Sequence, residues 1–336
     1  MTMRWLAAAL SAALVVASPA YAQEVRIAFI GDAGTGDSKQ RAVAEQMLKA
    51  NPQYVFLLGD NVYAEGSRRD IQSRFDDVYA ALLIKGVVFH AALGNHDVTG
   101  CEANPLSPLP ADTGAYVKEF RCNVPYHLSH MPFGYVRSLR YYSVPLPAIN
   151  PLVEVFVLDS NTLKGSQSKL LLREDTAQLQ WLDQALGASR ARWKIVTMHH
   201  PTQSPTTGAK TIFFVPVGGG RTREFQLDQQ LTPILRKHRV DAVFAGHNHF
   251  YARMLPQEGI RYFVSGGGGR KTYGFDPQNG YVAAGGEWYH FVLATITPDA
   301  FTYRAIDSAG AVRDSGWWAK GDAADRKLAG GAAGAP

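Results

Sequence analysis

The stretch YVFLLGDNVY, residues 54–63, joins a short apolar run to a carboxylate, an amide and a phenol. Its first five residues, Tyr54–Leu58, are apolar or aromatic and predict a buried strand. The Gly-Asp-Asn triplet that follows consists of residue types that favour turns. A turn does not account for Tyr63, so the segment raises the question of what chemistry needs a phenol beside Asp60.

The same pattern recurs along the chain. Apolar runs typical of strands are VRIAFIGD, QYVFLLGD, VVFHAALGNHD, LVEVFVLDS, RWKIVTMHH, DAVFAGHNH and IRYFVSGGGG. Between them, segments such as DSKQRAVAEQMLKA, with Asp37 or Ser38 as N-cap, and EDTAQLQWLDQAL have the apolar spacing of helices. This alternation predicts a layered α/β fold. Polar residues collect at the predicted strand ends, where open α/β sheets bind ligands. They are Asp32, Asp60, Asn95 with His96, Asp159, His199, and His247 with His249.

Composition and the two termini limit the domain organisation. Residues 1–22 contain Arg4, an apolar stretch and a terminal AYA, which predict a signal peptide and therefore an exported protein without a later membrane span. We expect one domain over residues 23–317, closed by a strand pair in HFVLATITPDAFTYRAID, and a disordered tail over 318–336. The formal net charge of +5 is a mild excess that does not indicate a nucleic-acid binder, and the oligomeric state stays open.

The chain contains two cysteines, Cys101 and Cys122. Because disulfides persist in exported proteins, we predict that they pair and close a polar loop, which stabilises the fold by about 3 kcal/mol in the chain-entropy model.

Five short segments carry the candidate chemistry: GDAG, GDNVY, GNHD, VTMH and GHNH. Each alone has an ordinary explanation as a turn or a polar loop. Together they offer carboxylate, amide, imidazole and phenol groups and no thiolate, a set that suits hard or borderline metal ions. Seven such ligands suffice for two ions when one carboxylate bridges them, and paired ions are typical of phosphoryl displacement.

This motif series resembles that of the purple acid phosphatases, within the calcineurin-like metallophosphoesterases. The likeness extends from about Val25 to Arg304, and VFVLDSNTL followed by QLQWLDQAL is similar to the small, animal-type, tartrate-resistant branch. The resemblance implies a four-layer αββα sandwich of two packed mixed sheets, α/β in class or α+β by some schemes. It also implies a dinuclear centre of Fe(III) and a divalent ion, which is Fe, Zn or Mn.

The resemblance assigns the ligands residue by residue. Asp32, Tyr63 and His249 would hold the ferric ion, because a phenolate is a good ligand for a hard, highly charged ion. The divalent ion would be held by Asn95, His199 and His247, and Asp60 would bridge the two ions. His96 would contact phosphate and protonate the leaving oxygen. His200 either lines the pocket in a catalytic role or packs.

The implied activity is hydrolysis of phosphomonoesters by a metal-bound hydroxide. Two alternatives stay open: a phosphodiesterase or nucleotidase on the same site, and a surface protein that binds metal or does redox chemistry without hydrolysis.

The sequence also departs from the family, because Thr207 and Gly208 stand where animal-type members carry a Glu-His pair. His127 and His130 are candidate replacements for the missing proton donor, with surface positions as the alternative. Backbone amides of residues 266–269 either approach phosphate or belong to a flexible loop.

Overall fold

The computed structural model describes residues 24–98, 140–163, 175–206 and 221–328. Several predictions concern residues outside these ranges: the signal peptide at 1–22, the pairing of Cys101 with Cys122, His127 and His130, and Thr207 with Gly208.

Within the described residues, six strands form the first sheet, in the order β13-β12-β11-β1-β2-β3. The strands are β1 Val25–Ile30, β2 Tyr54–Leu58, β3 Val88–Ala92, β11 His290–Ile296, β12 Ala300–Asp307 and β13 Val312–Ala319. β1, β2 and β3 run parallel, and β11 pairs antiparallel with β1, so the sheet is mixed. The predicted strand pair in residues 290–307 is confirmed as the antiparallel β11–β12 pair.

Seven strands of the described residues form the second sheet, in the order β10-β8-β9-β7-β6-β5-β4. They are β4 Tyr142–Leu146, β5 Val153–Val157, β6 Trp193–Met198, β7 Ala242–Ala245, β8 Tyr251–Met254, β9 Arg261–Ser265 and β10 Val282–Gly286. β5, β6, β7 and β9 run parallel, while β4, β8 and β10 pair antiparallel with their neighbours. This sheet is therefore also mixed.

Helices cover the outer face of each sheet. α1 (Ser38–Ala50) and α2 (Asp77–Ile84) pack on the first sheet, and α3 (Thr176–Ala188) and α4 (Arg221–Lys237) pack on the second. The Asp37 side chain caps α1, accepting from the N–H groups of Lys39 at 3.0 Å and Gln40 at 3.1 Å. The two sheets with their outer helices confirm the predicted four-layer sandwich.

The inner faces of the two sheets share one core. Phe29 of β1 stacks on Phe244 of β7 with ring centroids 3.8 Å apart, and Phe244 stacks on Phe263 of β9 at 4.6 Å. All three side chains are buried. Because burial of apolar area is the main favourable contribution to folding, this shared layer holds the sheets face to face and so fixes the relative positions of their edges.

The C-terminal boundary differs from the predicted tail over 318–336. β13 continues to Ala319, and the Trp318 side chain is fully buried. Beyond the strand, Asp325 forms ion pairs with Arg253 at 3.0 Å and Arg261 at 2.9 Å. Residues 318–328 therefore pack against the second sheet, because Trp318 and Asp325 complete its apolar and charged contacts. Residues 329–336 lie outside the described part of the chain.

In the four described ranges, none of the helices combines the length and the apolar composition needed to span a bilayer.

Candidate metal centre

The predicted ligands lie on loops that leave both sheets at the same edge. Asp32 follows β1, Asp60 and Tyr63 follow β2, and Asn95 follows β3 of the first sheet. From the second sheet, His199 follows β6, and His247 and His249 lie between β7 and β8. The structure brings all seven side chains together at the seam between the sheets.

The backbone adopts unusual conformations at this edge. Asp32, Asp60 and His247 have positive φ angles of 57°, 52° and 70°, in the left-handed region that non-glycine residues seldom adopt. Gly246 precedes one of them, and a Cβ at Gly246 would lie 2.7 Å from Asp32 Oδ2. A side chain there would displace the carboxylate, which explains why glycine precedes the imidazole in GHNH. Strained backbone of this kind is often found at functional sites.

Three of the side chains form a first group. The Tyr63 hydroxyl donates to Asp32 Oδ1 at 3.1 Å and lies 3.2 Å from His249 Nε2. His249 Nε2 is also 3.4 Å from Asp32 Oδ1. The three polar atoms therefore converge on one point, and oxygen predominates among them.

Asn95, His199 and His247 form a second group, in which nitrogen predominates. Asn95 Oδ1 lies 3.0 Å from His199 Nε2 and 3.1 Å from His247 Nδ1. The two imidazole nitrogens are 3.3 Å apart. Asp60 lies between the two groups, since its Oδ1 is 3.4 Å from His199 Nε2 and its carboxylate clusters with Asp32 and His249.

The protonation pattern shows that these groups suit cations. His199 Nδ1 donates to the Leu58 carbonyl at 2.9 Å, so Nε2 of the neutral ring carries a lone pair. That lone pair faces the oxygens of Asn95 and Asp60, which are acceptors as well. In the first group, His249 Nδ1 bonds in the same way to the Lys271 carbonyl at 2.9 Å.

Buried acceptors that face one another repel unless a cation or proton lies between them. The nitrogen spacing of 3.3 Å also matches neighbouring ligands of a tetrahedral ion, which are about 3.4 Å apart at the usual metal–nitrogen distance. The residues therefore fit two metal ions, one in each group.

Burial and neighbouring charges shift the pKa values of the ligands. Burial, followed by the charges of Asp32 and Asp60, raises the pKa of Tyr63 well above its ordinary value. Burial and the nearby His199 lower the pKa of His247 to about 3. Burial would lower the pKa of His249, but its hydrogen bond to Asp32 raises it overall. Tyr63 thus needs a cation to ionise, and His247 is neutral and ready to bind one.

His96 lies at the mouth of the site. Its ring nitrogen Nδ1 bonds to the Ala64 carbonyl at 2.6 Å, and its side chain is 37% exposed. The backbone N–H of His96 donates to Asp60 Oδ1 at 2.9 Å, and its Nε2 lies 3.9 Å from Asp60 Oδ2. Nε2 therefore stays within reach of a substrate bound beside Asp60.

His200 lies beneath the second group and is buried, with 3% of its surface exposed. Its Nδ1 is 2.9 Å from the Ser160 hydroxyl, which also accepts from the His200 backbone N–H at 2.9 Å. Burial and the charges of His247 and His199 hold its pKa well below the usual value. His200 is thus placed under the site and away from solvent.

Asp97 supports the site and was missed by the sequence reasoning. Its carboxylate is buried and accepts from the N–H groups of Asn61 at 2.9 Å, Val62 at 3.3 Å and Gly94 at 2.8 Å. Asp97 thus ties the loop after β2 to the loop after β3. Its place as the fourth residue of GNHD, directly after a predicted site histidine, was the available signal.

Asp159 ends a strand as the ligands do, but it does not join the site. Its carboxylate forms an ion pair with Arg140 at 2.8 Å, and Arg140 also pairs with Asp175 at 2.8 Å. Thr162 Oγ1 and Gln178 Nε2 both donate to Asp175 Oδ2, so Asp159 belongs to a separate buried ionic network. No sequence signal pointed to this partner, because Arg140 lies in a segment without a motif.

The glycine run at 266–269 neither forms a flexible loop nor presents a full set of free amides to phosphate. All four residues are buried. The N–H of Gly266 donates to Phe250 and that of Gly268 to Gly31, at 3.2 and 2.9 Å. A Cβ at Gly266 would lie 2.8 Å from Asp32 Oδ2, so the run is needed for close packing behind Asp32.

Comparisons with known proteins agree with this geometry. The tartrate-resistant acid phosphatase type 5 of Sus scrofa is 25% identical over 292 residues, which cover 80% of this chain and 76% of the relative. The purple acid phosphatase 3 of Arabidopsis thaliana is 28% identical over 255 residues, covering 73% of this chain and 63% of the relative. These similarities confirm the predicted resemblance.

A solved structure supports the fold. The purple acid phosphatase PPD1 from yellow lupin (Lupinus luteus) superposes with a TM-score of 0.68 at 18% identity, covering 89% of this chain and 54% of that one. The family model described as calcineurin-like phosphoesterase matches residues 25–251, which include all seven predicted ligands. This chain therefore belongs to the calcineurin-like phosphoesterase family.

Proposed function

We propose that this protein is an exported acid phosphatase that hydrolyses phosphomonoesters at a centre of Fe(III) and a divalent ion. The observation that carries the proposal is the convergence of buried acceptors in two adjacent groups that share Asp60. When bound, two cations supply a Lewis acid for the phosphoryl oxygens and lower the pKa of bound water. The similarity to acid phosphatases supports the choice of substrate class.

The side chains of the first group suit the ferric ion. Asp32 and Tyr63 both offer oxygen, the donor that hard ions prefer. A highly charged ion also overcomes the raised pKa of Tyr63, which burial and two carboxylates otherwise keep protonated. The second group offers imidazole and amide and suits the divalent ion.

His96 is the proton donor in this proposal. The His96 ring is half exposed, and its Nδ1 bonds to the Ala64 carbonyl. Its Nε2 can therefore face a bound phosphate ester. Tyr63 packs against the ring at 4.7 Å and limits its rotation. Protonation of the departing alkoxide by such a group is ordinary general acid catalysis.

Basic and aromatic residues line the rim beside Tyr63. The exposed Arg270 guanidinium lies 4.8 Å from the centroid of the Tyr63 ring, and the half-exposed Tyr273 ring lies 4.8 Å from that of His249. The positive charge of Arg270 favours the dianion of a phosphomonoester over the single charge of a diester.

The test compares p-nitrophenyl phosphate with bis(p-nitrophenyl) phosphate on the metal-loaded protein at acidic pH. We expect faster hydrolysis of the monoester, together with a visible absorption band from phenolate bound to iron that disappears in Tyr63→Phe. Preference for the diester would favour the phosphodiesterase alternative. Bound metal without phosphate release at any pH would favour the non-hydrolytic one.

A further inference from the structure

His200, which follows the predicted ligand His199, has a buried ring nitrogen without a hydrogen-bond partner among the described residues. This nitrogen is Nε2. Leaving a buried polar atom without a partner is costly, and such atoms are rare in folded proteins. Within the described ranges, no side chain supplies the partner that this nitrogen needs, which makes a bound cation a candidate partner.

The position of His200 identifies the kind of ligand. One nitrogen each of His199, His200 and His247 lie within 4.8 Å of one another. The His200 ring centroid is 4.5 Å from that of His247 and 4.9 Å from that of His199. Neighbouring nitrogens on a tetrahedral ion are about 3.4 Å apart, so the His200 ring needs to move inward by at most about 1.4 Å to share the ion with His199 and His247.

The Ser160 hydroxyl contacts the His200 ring at the nitrogen where backbone carbonyls contact two of the predicted ligands. His199 and His249 each bond through Nδ1 to a carbonyl oxygen, of Leu58 and Lys271. His200 Nδ1 lies at the same distance, 2.9 Å, from the Ser160 hydroxyl. Such partners orient metal-binding histidines. A hydroxyl can donate or accept, and when His200 donates its Nδ1–H to Ser160, the Nε2 lone pair is left for a cation.

We infer that His200 is an additional ligand of the second cation, which therefore binds three imidazoles and is Zn(II) or Fe(II) in preference to Mn(II) or Mg(II). Imidazole favours zinc and iron, whereas carboxylate, carbonyl and water oxygens favour manganese and magnesium. The inference rests on the two-cation site of the proposed function. It replaces the expected catalytic role of His200, because a buried ring held by Ser160 does not reach a leaving group at the surface.

The first experiment counts imidazoles on zinc by X-ray absorption of protein loaded with Fe(III) and Zn(II). We expect three imidazoles on zinc in the unmodified protein and two in His200→Ala. The matched control is His90→Gln, which removes another buried histidine, one that stacks on Phe56 in the core. The control should retain three. An equal count in His200→Ala and the unmodified protein would overturn the inference.

A second measurement uses competition with a chromophoric chelator. Zinc affinity should fall at least about 10–100-fold in His200→Ala and about 10-fold in Ser160→Ala, the range seen when partners of ligands are removed. Manganese affinity should change less in both variants. Ser160→Ala keeps every proposed ligand, so it carries the test if His200→Ala does not fold. Unchanged zinc affinity in Ser160→Ala and in any folded His200→Ala would contradict the inference.

Hydrolysis of p-nitrophenyl phosphate by the same preparation separates the two proposals. Hydrolysis with two imidazoles on zinc leaves the proposed function standing and removes His200 from the ligands. Three imidazoles without hydrolysis supports the His200 assignment and removes the acid phosphatase assignment.

Discussion

Two clusters of buried polar side chains, built from similar residues, differ in how their charges are balanced. In the ionic network, the Arg140 guanidinium lies between the carboxylates of Asp159 and Asp175, and each carboxylate faces a donor. In the metal centre, the Asp60 carboxylate and the Asn95 amide oxygen face the Nε2 lone pair of His199. The first cluster is complete within the protein, whereas the second is complete only with cations. An acidic residue after a strand therefore indicates function only when its surroundings leave its charge unpaired.

The largest effect is expected from replacing Asp60, the carboxylate that lies between the two groups of the metal centre. Asp60→Asn should reduce kcat/KM for p-nitrophenyl phosphate about 10³-fold, because it weakens both cation groups and with them several kcal/mol of transition-state stabilisation. The free energy of unfolding of the metal-free protein should not fall, since the change removes a buried charge that lacks a cationic partner. Steady-state kinetics and urea unfolding measure the two quantities. A large loss of stability with activity retained would contradict the comparison.

The next effect concerns the ionic network, where we expect a loss of stability with activity retained. Arg140→Met should lower the free energy of unfolding by about 3–5 kcal/mol, because it leaves two buried carboxylates without their partner. Turnover per folded molecule should stay near that of the unmodified protein, since Arg140 does not contact the ligands. Urea unfolding and active-site titration check this. The surface pair of Lys237 with Asp183 is the control, and Lys237→Met should leave the free energy of unfolding nearly unchanged because solvent screens an exposed pair.

A smaller effect is the loss of stability in acid that comes from His90. This loss has to be subtracted before the stabilities of the two clusters are compared at low pH. Burial lowers the pKa of His90 to about 4 from 6.5. As pH falls from 6.5 to 4, the unfolded chain binds a proton there and the folded chain does not, so stability decreases, by up to about 3 kcal/mol. His90→Gln should flatten this part of the stability–pH curve. Thermal unfolding between pH 7 and 4 measures it, and an unchanged slope would show that His90 is not the source.

The smallest effect lies at the mouth of the metal centre. His96→Ala should slow hydrolysis of an alkyl phosphate about 10²-fold and that of p-nitrophenyl phosphate much less, because only the poor leaving group needs a proton. Metal content should stay constant, since His96 Nδ1 bonds to Ala64 rather than to the ligands. Equal losses with both substrates would assign His96 to binding instead of proton transfer.

The sequence predicts well the positions of the strands that lead into the site, because each of these strand ends carries its own local signal. It did not predict β4, β8, β10 and β13 or the order of the strands. Gly-Asp, Gly-Asn and Gly-His after apolar runs located the loops that the structure brings together. What it could not predict depends on contacts between distant segments. Asp159 could be distinguished from Asp32 only by its ion pair with Arg140. Trp318 was assigned to a tail because its pairing with β12 is not visible in the local sequence.

Two further features were hidden for the same reason. The glycine run at 266–269 gives no indication that Asn248 and Asp32 press against it. His200 follows His199 in sequence, and only the position of Ser160 shows how its ring is held. Local patterns thus specify which residues reach the edge, and long-range packing decides which of them stay available for chemistry.

The loops of the first sheet supply Asp32, Asp60 and Asn95, and those of the second sheet supply His199 and His247. Ions bound here would therefore link the two sheets of the sandwich. The ions therefore act on folding as well as on substrate. Each cation present at 1,000 times its dissociation constant would add about 4 kcal/mol to the free energy of unfolding, so metal supply would affect the stability of the sandwich as well as its chemistry.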